Sequence, residues 1–399
     1  MKKIIIFFLF TVFVFPNAFR AIKYFLVVVI TFYIYNTFKE VFYKKYNIFL
    51  FLGLSLSVFY IAFGHFFAKQ PYISLFQCIA VYIAFPFFWM YFSDYILQKY
   101  SPEYIIQLIT IFGVVGCATI YMAIWLLDNN YITIMEYVID DPKASVTGKG
   151  TTEVRMNVYG SLLFFIPAIL SSFKRFSTIT KIILFCIIFM SVINSGRSIL
   201  LASILVGILG YLLSLRNGLK IILVLFVGAM LIYFLISYFN IPVLAIFEVT
   251  QDKLNGEGGE DNYIREHQFW IFLEGIEDYY YLFGHGHGVG IDLVRNPRYS
   301  WRSYELLIMA TIFRTGLIGL VIYSLPFFYS LRKYIRLYKK KMNNPADKFF
   351  IFGMIGVVVG VFSNPYLESF DFQFLFFISF CHFINRDTSF EKKIRKSII

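Results

Sequence analysis

Long apolar runs, separated by short polar and mostly basic stretches, fill most of this chain. They recur at 4–19, 22–38, 48–67, 74–92, 104–127, 156–172, 182–194, 198–215, 221–238, 304–330, 349–362 and 370–384. A helix that crosses the hydrocarbon core needs roughly 20 mostly apolar residues, so the pattern predicts about 12 transmembrane helices. The runs are continuous, whereas a membrane β-barrel would alternate apolar and polar residues in short segments. The predicted class is therefore all-α, a polytopic integral membrane protein with a single membrane domain over residues 1–399. Met1-Lys2-Lys3 followed by Ile4 to Phe15 has the outline of a secretory signal peptide. Further spans follow directly, and Ala18-Phe19-Arg20-Ala21 makes a poor cleavage site, so the segment reads as a retained first span.

Composition narrows the class further. The chain is 59% apolar and 15% charged, against roughly 25% charged in soluble domains. So few charges cannot clothe a large soluble domain, and so apolar a chain is neither disordered nor coiled coil. The net charge of +12 would hint at nucleic acid in a soluble protein. In a membrane protein its placement matters more. With the N-terminus inside, most of the basic residues fall on inner segments. These are Lys2 and Lys3, Lys39 to Lys45, Lys99, Lys174 to Lys181, Arg216 and Lys220, the 331–348 cluster and the tail beyond Arg386. Both termini are then cytoplasmic. Most acidic residues lie outside, concentrated in two long outer loops at about 128–155 and 239–303. Long ordered loops on a rigid scaffold are where sites are found. Cys78, Cys117, Cys186 and Cys381 all sit inside apolar runs with no paired spacing, and read as small buried residues.

The second outer loop has a pattern of its own. After the polar stretch Asn255 to Asp261, a helix is predicted over Asn262 to Tyr281. Arg265, Phe269, Phe272, Ile276 and Tyr280 recur on one stripe of it. Such a helix lies in the outer interface with its apolar face toward the membrane or the bundle, which puts Arg265 at headgroup depth. Gly284-His285-Gly286-His287-Gly288-Val289-Gly290 follows, a loop with little side-chain bulk.

Several polar residues are candidates for chemistry. Asn194-Ser195-Gly196-Arg197 separates two apolar runs at the predicted outer face, and its glycine allows a tight helical hairpin. Arg197 is either a snorkelling helix end or an anion clamp, since a guanidinium binds phosphate bidentately and stays charged. Arg155 stands at the outer entry of the sixth run, and Arg295, Arg298 and Arg302 crowd the end of the second loop. Arginines are under-represented outside. This cluster either pairs with outer carboxylates or serves an anionic, lipid-linked substrate. His285 and His287 suit a general base or a hydrogen bond to sugar hydroxyls. A metal needs three or four ligands, and although His267 could be a third, nothing fixes the spacing, so no metal or other cofactor is expected. His65 and His382 read as packed residues. The span centres are nearly free of charge, Arg314 being the main exception, with Glu368 and Asp371 at the outer end of the last span.

Two stretches resemble the O-antigen polymerase and O-antigen ligase family. Asn194-Ser195-Gly196-Arg197-Ser198 and the Ile199-Leu200-Leu201-Ala202 that follows resemble that family's "SGSR" turn and helix. Arg265 to Trp270 resembles its Arg…Trp interfacial segment. Tyr281-Leu282-Phe283-Gly284-His285-Gly286 resembles its "l-f-G-x-G" turn, and Gly316-Leu317-Ile318-Gly319-Leu320 its "GliGl" helix. Arg155 before Asn157-Val158-Tyr159-Gly160 is similar to a weaker "R…N…G" pattern. The resemblance covers about 150–325. It implies a metal-independent glycosyltransferase of the bacterial cytoplasmic (inner) membrane. Its substrate would be an oligosaccharide on undecaprenyl pyrophosphate, its active site would face the periplasm, and Arg197, Arg265 and Arg155 would bind the pyrophosphate. Ligases carry a His-Asn pair shortly before "GliGl". Here Tyr299-Ser300-Trp301-Arg302-Ser303-Tyr304-Glu305 stands there instead, which favours a polymerase and leaves Glu305, His285 or His287 as the base. Expected partners are membrane lipids, a chain-length regulator and a flippase, and no nucleic acid. The competing class is a lipid-linked oligosaccharide flippase. Transporters place polar groups at mid-membrane on broken helices, whereas long polar outer loops favour an enzyme.

Overall fold

In a bilayer no water satisfies the backbone, so an apolar run resolves its amides and carbonyls as helix. The computed structural model describes residues 1–15, 19–66, 72–128, 161–172, 198–213, 259–277, 281–290, 304, 306–362 and 366–398. Among these there is no strand. The elements are α1 (Lys2–Val14), α2 (Arg20–Phe66), α3 (Tyr72–Ile79), a π-turn (Ala80–Ala84), α4 (Phe85–Lys99) and α5 (Pro102–Asp128). They continue with α6 (Leu162–Ser171), α7 (Ser198–Leu212), α8 (Gly259–Glu277), α9 (Leu307–Lys339), α10 (Pro345–Val361), a 3-10 turn (Tyr366–Glu368) and α11 (Phe370–Ile398).

Four helical stretches among the described residues are long and apolar enough to cross a membrane: Ile48–Phe66, Ser74–Lys99, Pro102–Thr119 and Leu307–Lys339. Leu162–Ser171 and Ala202–Leu212 are apolar but shorter. The runs at 182–194 and 221–238 lie outside the described residues, as does nearly all of the 128–155 loop.

The expected runs at 22–38 and 48–67 both fall within α2, whose two halves run in opposite directions. Tyr24 stacks near Phe85, and Ile61 packs with Val81, so both lie at the N-terminal end of α4. In a straight helix they would be about 55 Å apart, at 1.5 Å per residue. Tyr33 meets Tyr95, and the Tyr46 hydroxyl donates to Asp94 Oδ1 at 2.8 Å, both toward the other end of α4. The helical path therefore folds back between Tyr33 and Tyr46. The 331–348 segment also differs from a plain loop. α9 continues to Lys339 and α10 starts at Pro345, capped by Asn344, whose side chain accepts from the Asp347 amide.

The core is built of aromatic rings. Trp89 is fully buried and packs on Phe8 (5.6 Å), Phe370 (4.5 Å) and Phe374 (4.8 Å). This packs α1 against α4 and α11. Cys78, Cys117 and Cys381 are buried thiols. At one end of the bundle Lys2 lies over the Tyr104 ring, Lys99 over Tyr95, and Arg386 bonds the Met342 carbonyl. The start of α1, the fold-back of α2, the α4–α5 and α9–α10 turns and Arg386 of α11 thus share one end, the one richest in Lys and Arg.

Candidate functional site

Four departures from regular α-helix meet on the side away from that basic end. The first is a break in α9. In an unbroken helix the Leu317 and Ile318 amides would donate to the Phe313 and Arg314 carbonyls. Gly316, at φ 62° and ψ −173°, interrupts that path. The Leu317 and Ile318 amides donate instead to the carbonyls of Tyr281 (2.8 Å) and Leu282 (3.3 Å). The released Phe313 and Arg314 carbonyls accept from the amides of His285 (2.9 Å) and Gly286 (2.8 Å). The second departure, the 281–290 loop, therefore fills the break and satisfies the four amides and four carbonyls of these bonds.

Glycine makes this insertion possible. Gly284, Gly286 and Gly288 have positive φ, a region that side-chain-bearing residues rarely adopt. A Cβ on Gly286 would overlap the backbone of Gly64 in α2, and one on Gly316 would overlap the Leu282 carbonyl. The loop is also tied to α2, since the His287 amide donates to the Tyr60 carbonyl at 2.9 Å.

The side chains at this junction are buried and polar. Arg314 is 1% exposed. Its Nη1 donates to Glu368 Oε1 at 2.9 Å and to the Tyr82 hydroxyl at 3.2 Å, and its guanidinium lies 5.2 Å from the Tyr304 ring centroid. The Tyr82 hydroxyl in turn donates to Glu368 Oε1. Glu368 closes the 3-10 turn, the third departure, and Tyr82 comes from the π-turn, the fourth. A single π-turn within an α-helix is frequent at functional sites. Here Gln373 Nε2 donates to the Val81 and Leu367 carbonyls, each at 3.0 Å, which ties α11 to both turns. A buried guanidinium stripped of its carboxylate is strongly destabilising, so the ion pair and the backbone that carries it depend on each other.

The two histidines differ. His287 is buried, stacks on Tyr82 at 3.7 Å and 17°, and its Nε2 shares a 2.7 Å hydrogen bond with the Tyr323 hydroxyl. Tyr323 continues to Ser57 Oγ at 2.9 Å. His285 is half-buried and stacks on Phe313 at 4.3 Å. Its Nδ1 lies 3.0 Å from the Phe313 carbonyl. A carbonyl only accepts, so Nδ1 carries the proton and Nε2 is the basic nitrogen. The carbonyl that fixes this tautomer is one that the Gly316 break releases.

Of the residues singled out in the sequence, His285 and His287 are brought together at the break. Arg265 belongs to the α8 segment, and its side chain lies outside the described residues. Farther along α8, Phe272 is buried against Tyr304 (4.8 Å) and Phe313 (5.3 Å), so α8 docks on the site there. The expected stripe is thus turned toward the bundle at Phe272 and Ile276, with Gln268 buried beside them, while Phe269 is 40% exposed. Arg197, Arg155 and Glu305 lie outside the described residues. His382 is more than packing, because its Nε2 bonds Asp347 Oδ1 at 2.8 Å. Among the described residues no group of three or more His, Cys, Asp or Glu is arranged to hold a metal. Arg314 and Glu368 were visible in the sequence as charges in or beside apolar runs, and a charge at membrane depth points to function. Tyr82 carried no signal among 30 tyrosines.

Searches among protein-family models, curated proteins and solved structures find no match to this chain. The geometry and the chemistry of the residues therefore carry the functional argument.

Proposed function

We propose that this protein is a membrane glycosyltransferase that polymerises oligosaccharide repeat units carried on undecaprenyl pyrophosphate, on the outer face of the bacterial cytoplasmic membrane. One observation carries the reading. The 281–286 turn and the 316–320 stretch, which bear the resemblance to the O-antigen polymerase and ligase family, interlock through four backbone hydrogen bonds and orient His285. In this proposal about 12 spans cross the membrane with both termini cytoplasmic. Arg197, Arg265 and Arg155 hold the lipid-linked diphosphate at headgroup depth. His285 Nε2 takes the proton of the acceptor hydroxyl. That oxygen bonds to the anomeric carbon of the donor as the carbon–pyrophosphate bond breaks, and the electron pair leaves with the lipid diphosphate. In-line attack inverts the anomeric centre. Preorganised guanidinium groups in a partly dry site stabilise the departing charge better than water does.

A flippase is the second reading, and the break in α9 beside a buried ion pair favours it, because transporters use discontinuous helices at their substrate sites. A ligase, transferring the glycan to lipid A-core, is the third. The purified full-length protein in proteoliposomes, supplied with a defined lipid-linked repeat unit, separates them. A ladder of two or more repeats is the expected result. Movement of the repeat across the bilayer without elongation would favour the flippase. Transfer only when lipid A-core is added would favour the ligase. Repeat units recovered unchanged and unmoved would overturn the enzyme reading.

A further inference from the structure

We propose that Arg314, Glu368 and Tyr82 are positioning residues: they form a charge latch that seats the 281–290 loop in the break of α9 and so holds His285 in its working orientation. The catalytic part of this inference rests on the glycosyltransferase reading, whereas the seating part stands on geometry alone.

The backbone alone leaves the insertion under-determined. The loop exchanges two intrahelical hydrogen bonds of α9 for four bonds with the loop. The reverse exchange, with the loop withdrawn and the helix re-formed through Gly316, leaves few groups unsatisfied if water reaches the loop. Something must favour the inserted arrangement. Arg314 stands two residues before Gly316, and its own carbonyl receives the Gly286 amide. Its guanidinium is held from three sides, by Glu368 after α10, by Tyr82 before α4 and by the Tyr304 ring before α9. Re-forming the helix would turn this stretch of backbone and swing the guanidinium off its carboxylate. At this depth a separated pair has no water to replace its partner. Tyr82 adds a link to the loop, since one face of its ring carries His287 at 3.7 Å while its hydroxyl bonds Glu368. The latch thus reads both the position of the helix and the presence of the loop. None of its three members need touch substrate, as Arg314 and Glu368 are occupied with each other and shielded from solvent.

Hydrogen–deuterium exchange of the full-length protein in nanodiscs tests the seating without any assay of activity. The informative amides are those of 285–287, 317 and 318, with α10 as the internal reference. The variants are Glu368→Gln, which keeps the shape and removes the charge, and Tyr82→Phe, which keeps the stack on His287 and removes the hydroxyl. The expected result is exchange roughly ten- to hundredfold faster at those amides with α10 unchanged. If Glu368→Gln fails to fold, Tyr82→Phe decides alone. Unchanged exchange in the folded variants, or loss of protection spread evenly over the bundle, would overturn the latch. In the elongation assay the same variants are expected to lose kcat by roughly tenfold or more, with KM for the lipid-linked repeat little changed. Faster local exchange with wild-type kcat would overturn the positioning role. Faster local exchange in a protein whose wild type never elongates leaves the latch standing and overturns the enzyme.

Discussion

At the scale of single residues, the site turns on Gly316 and His285. Gly316 combines a φ of 62° with an extended ψ, a conformation reserved almost wholly for glycine. A Cβ there would also strike the Leu282 carbonyl. Gly316→Ala should therefore destabilise the protein by more than the roughly 1–3 kcal/mol of backbone strain alone, read as a lower midpoint of thermal unfolding in detergent. A midpoint equal to wild type would mean that α9 is unbroken. His285→Ala should leave that midpoint nearly unchanged, because the ring is only half-buried, while turnover falls by about 10²–10⁴-fold, as for loss of a general base. Retained turnover would remove His285 from the chemistry. The sequence marked His285 and His287 equally, as two histidines spaced by glycine. Only the fold separates them, because burial and the Tyr82 stack depend on helices far away in the chain.

At the scale of elements, the opposite end of the bundle is closed by a polar clamp between α10 and α11. Asp347 accepts from His382 at 2.8 Å and from Arg386 at 3.1 Å, and completes the capping box with Asn344. Burial works to raise its carboxyl. The His382 hydrogen bond and charge, the Asn344 amide and the Arg386 charge outweigh burial and hold it below its usual value. A depressed carboxyl stabilises the fold above its unfolded-state pKa of about 4. That contribution should vanish as pH falls through the lower folded-state value. Asp347→Asn should lower the thermal midpoint at neutral pH and remove this acid-dependent loss. A variant that destabilises equally at every pH would contradict the assignment. The apolar runs made most helices legible beforehand, α4, α5, α10 and the core of α11 among them. The ends were not legible. Basic residues mark a helix end, but they also form good helix, which is why α9 runs on to Lys339.

At the scale of the whole molecule, the basic segments gather at one end and the inserted loop approaches from the other. Cysteines placed at Asn343 and at Leu282 should therefore label from opposite sides of sealed vesicles, with Asn343 on the cytoplasmic side. Labelling of both from one side would break the topology. The all-helical class could be read from hydropathy because long continuous apolar runs favour helix along their whole length. The junction could not, since Tyr82, Arg314 and Glu368 come from three parts of the sequence, each unremarkable alone. Their separation bears on how the protein is made. Glu368 follows Arg314 by 54 residues, so at about 5–20 residues per second the ribosome delivers α9 roughly 3–10 seconds before its counter-ion. During that interval the nascent chain carries Arg314 without the Glu368 carboxylate that meets it in the folded protein. A chain terminated just before Tyr366 should consequently be degraded faster in cells than one terminated after Arg386, as pulse-chase labelling would measure. Equal lifetimes would mean that the nascent arginine is tolerated.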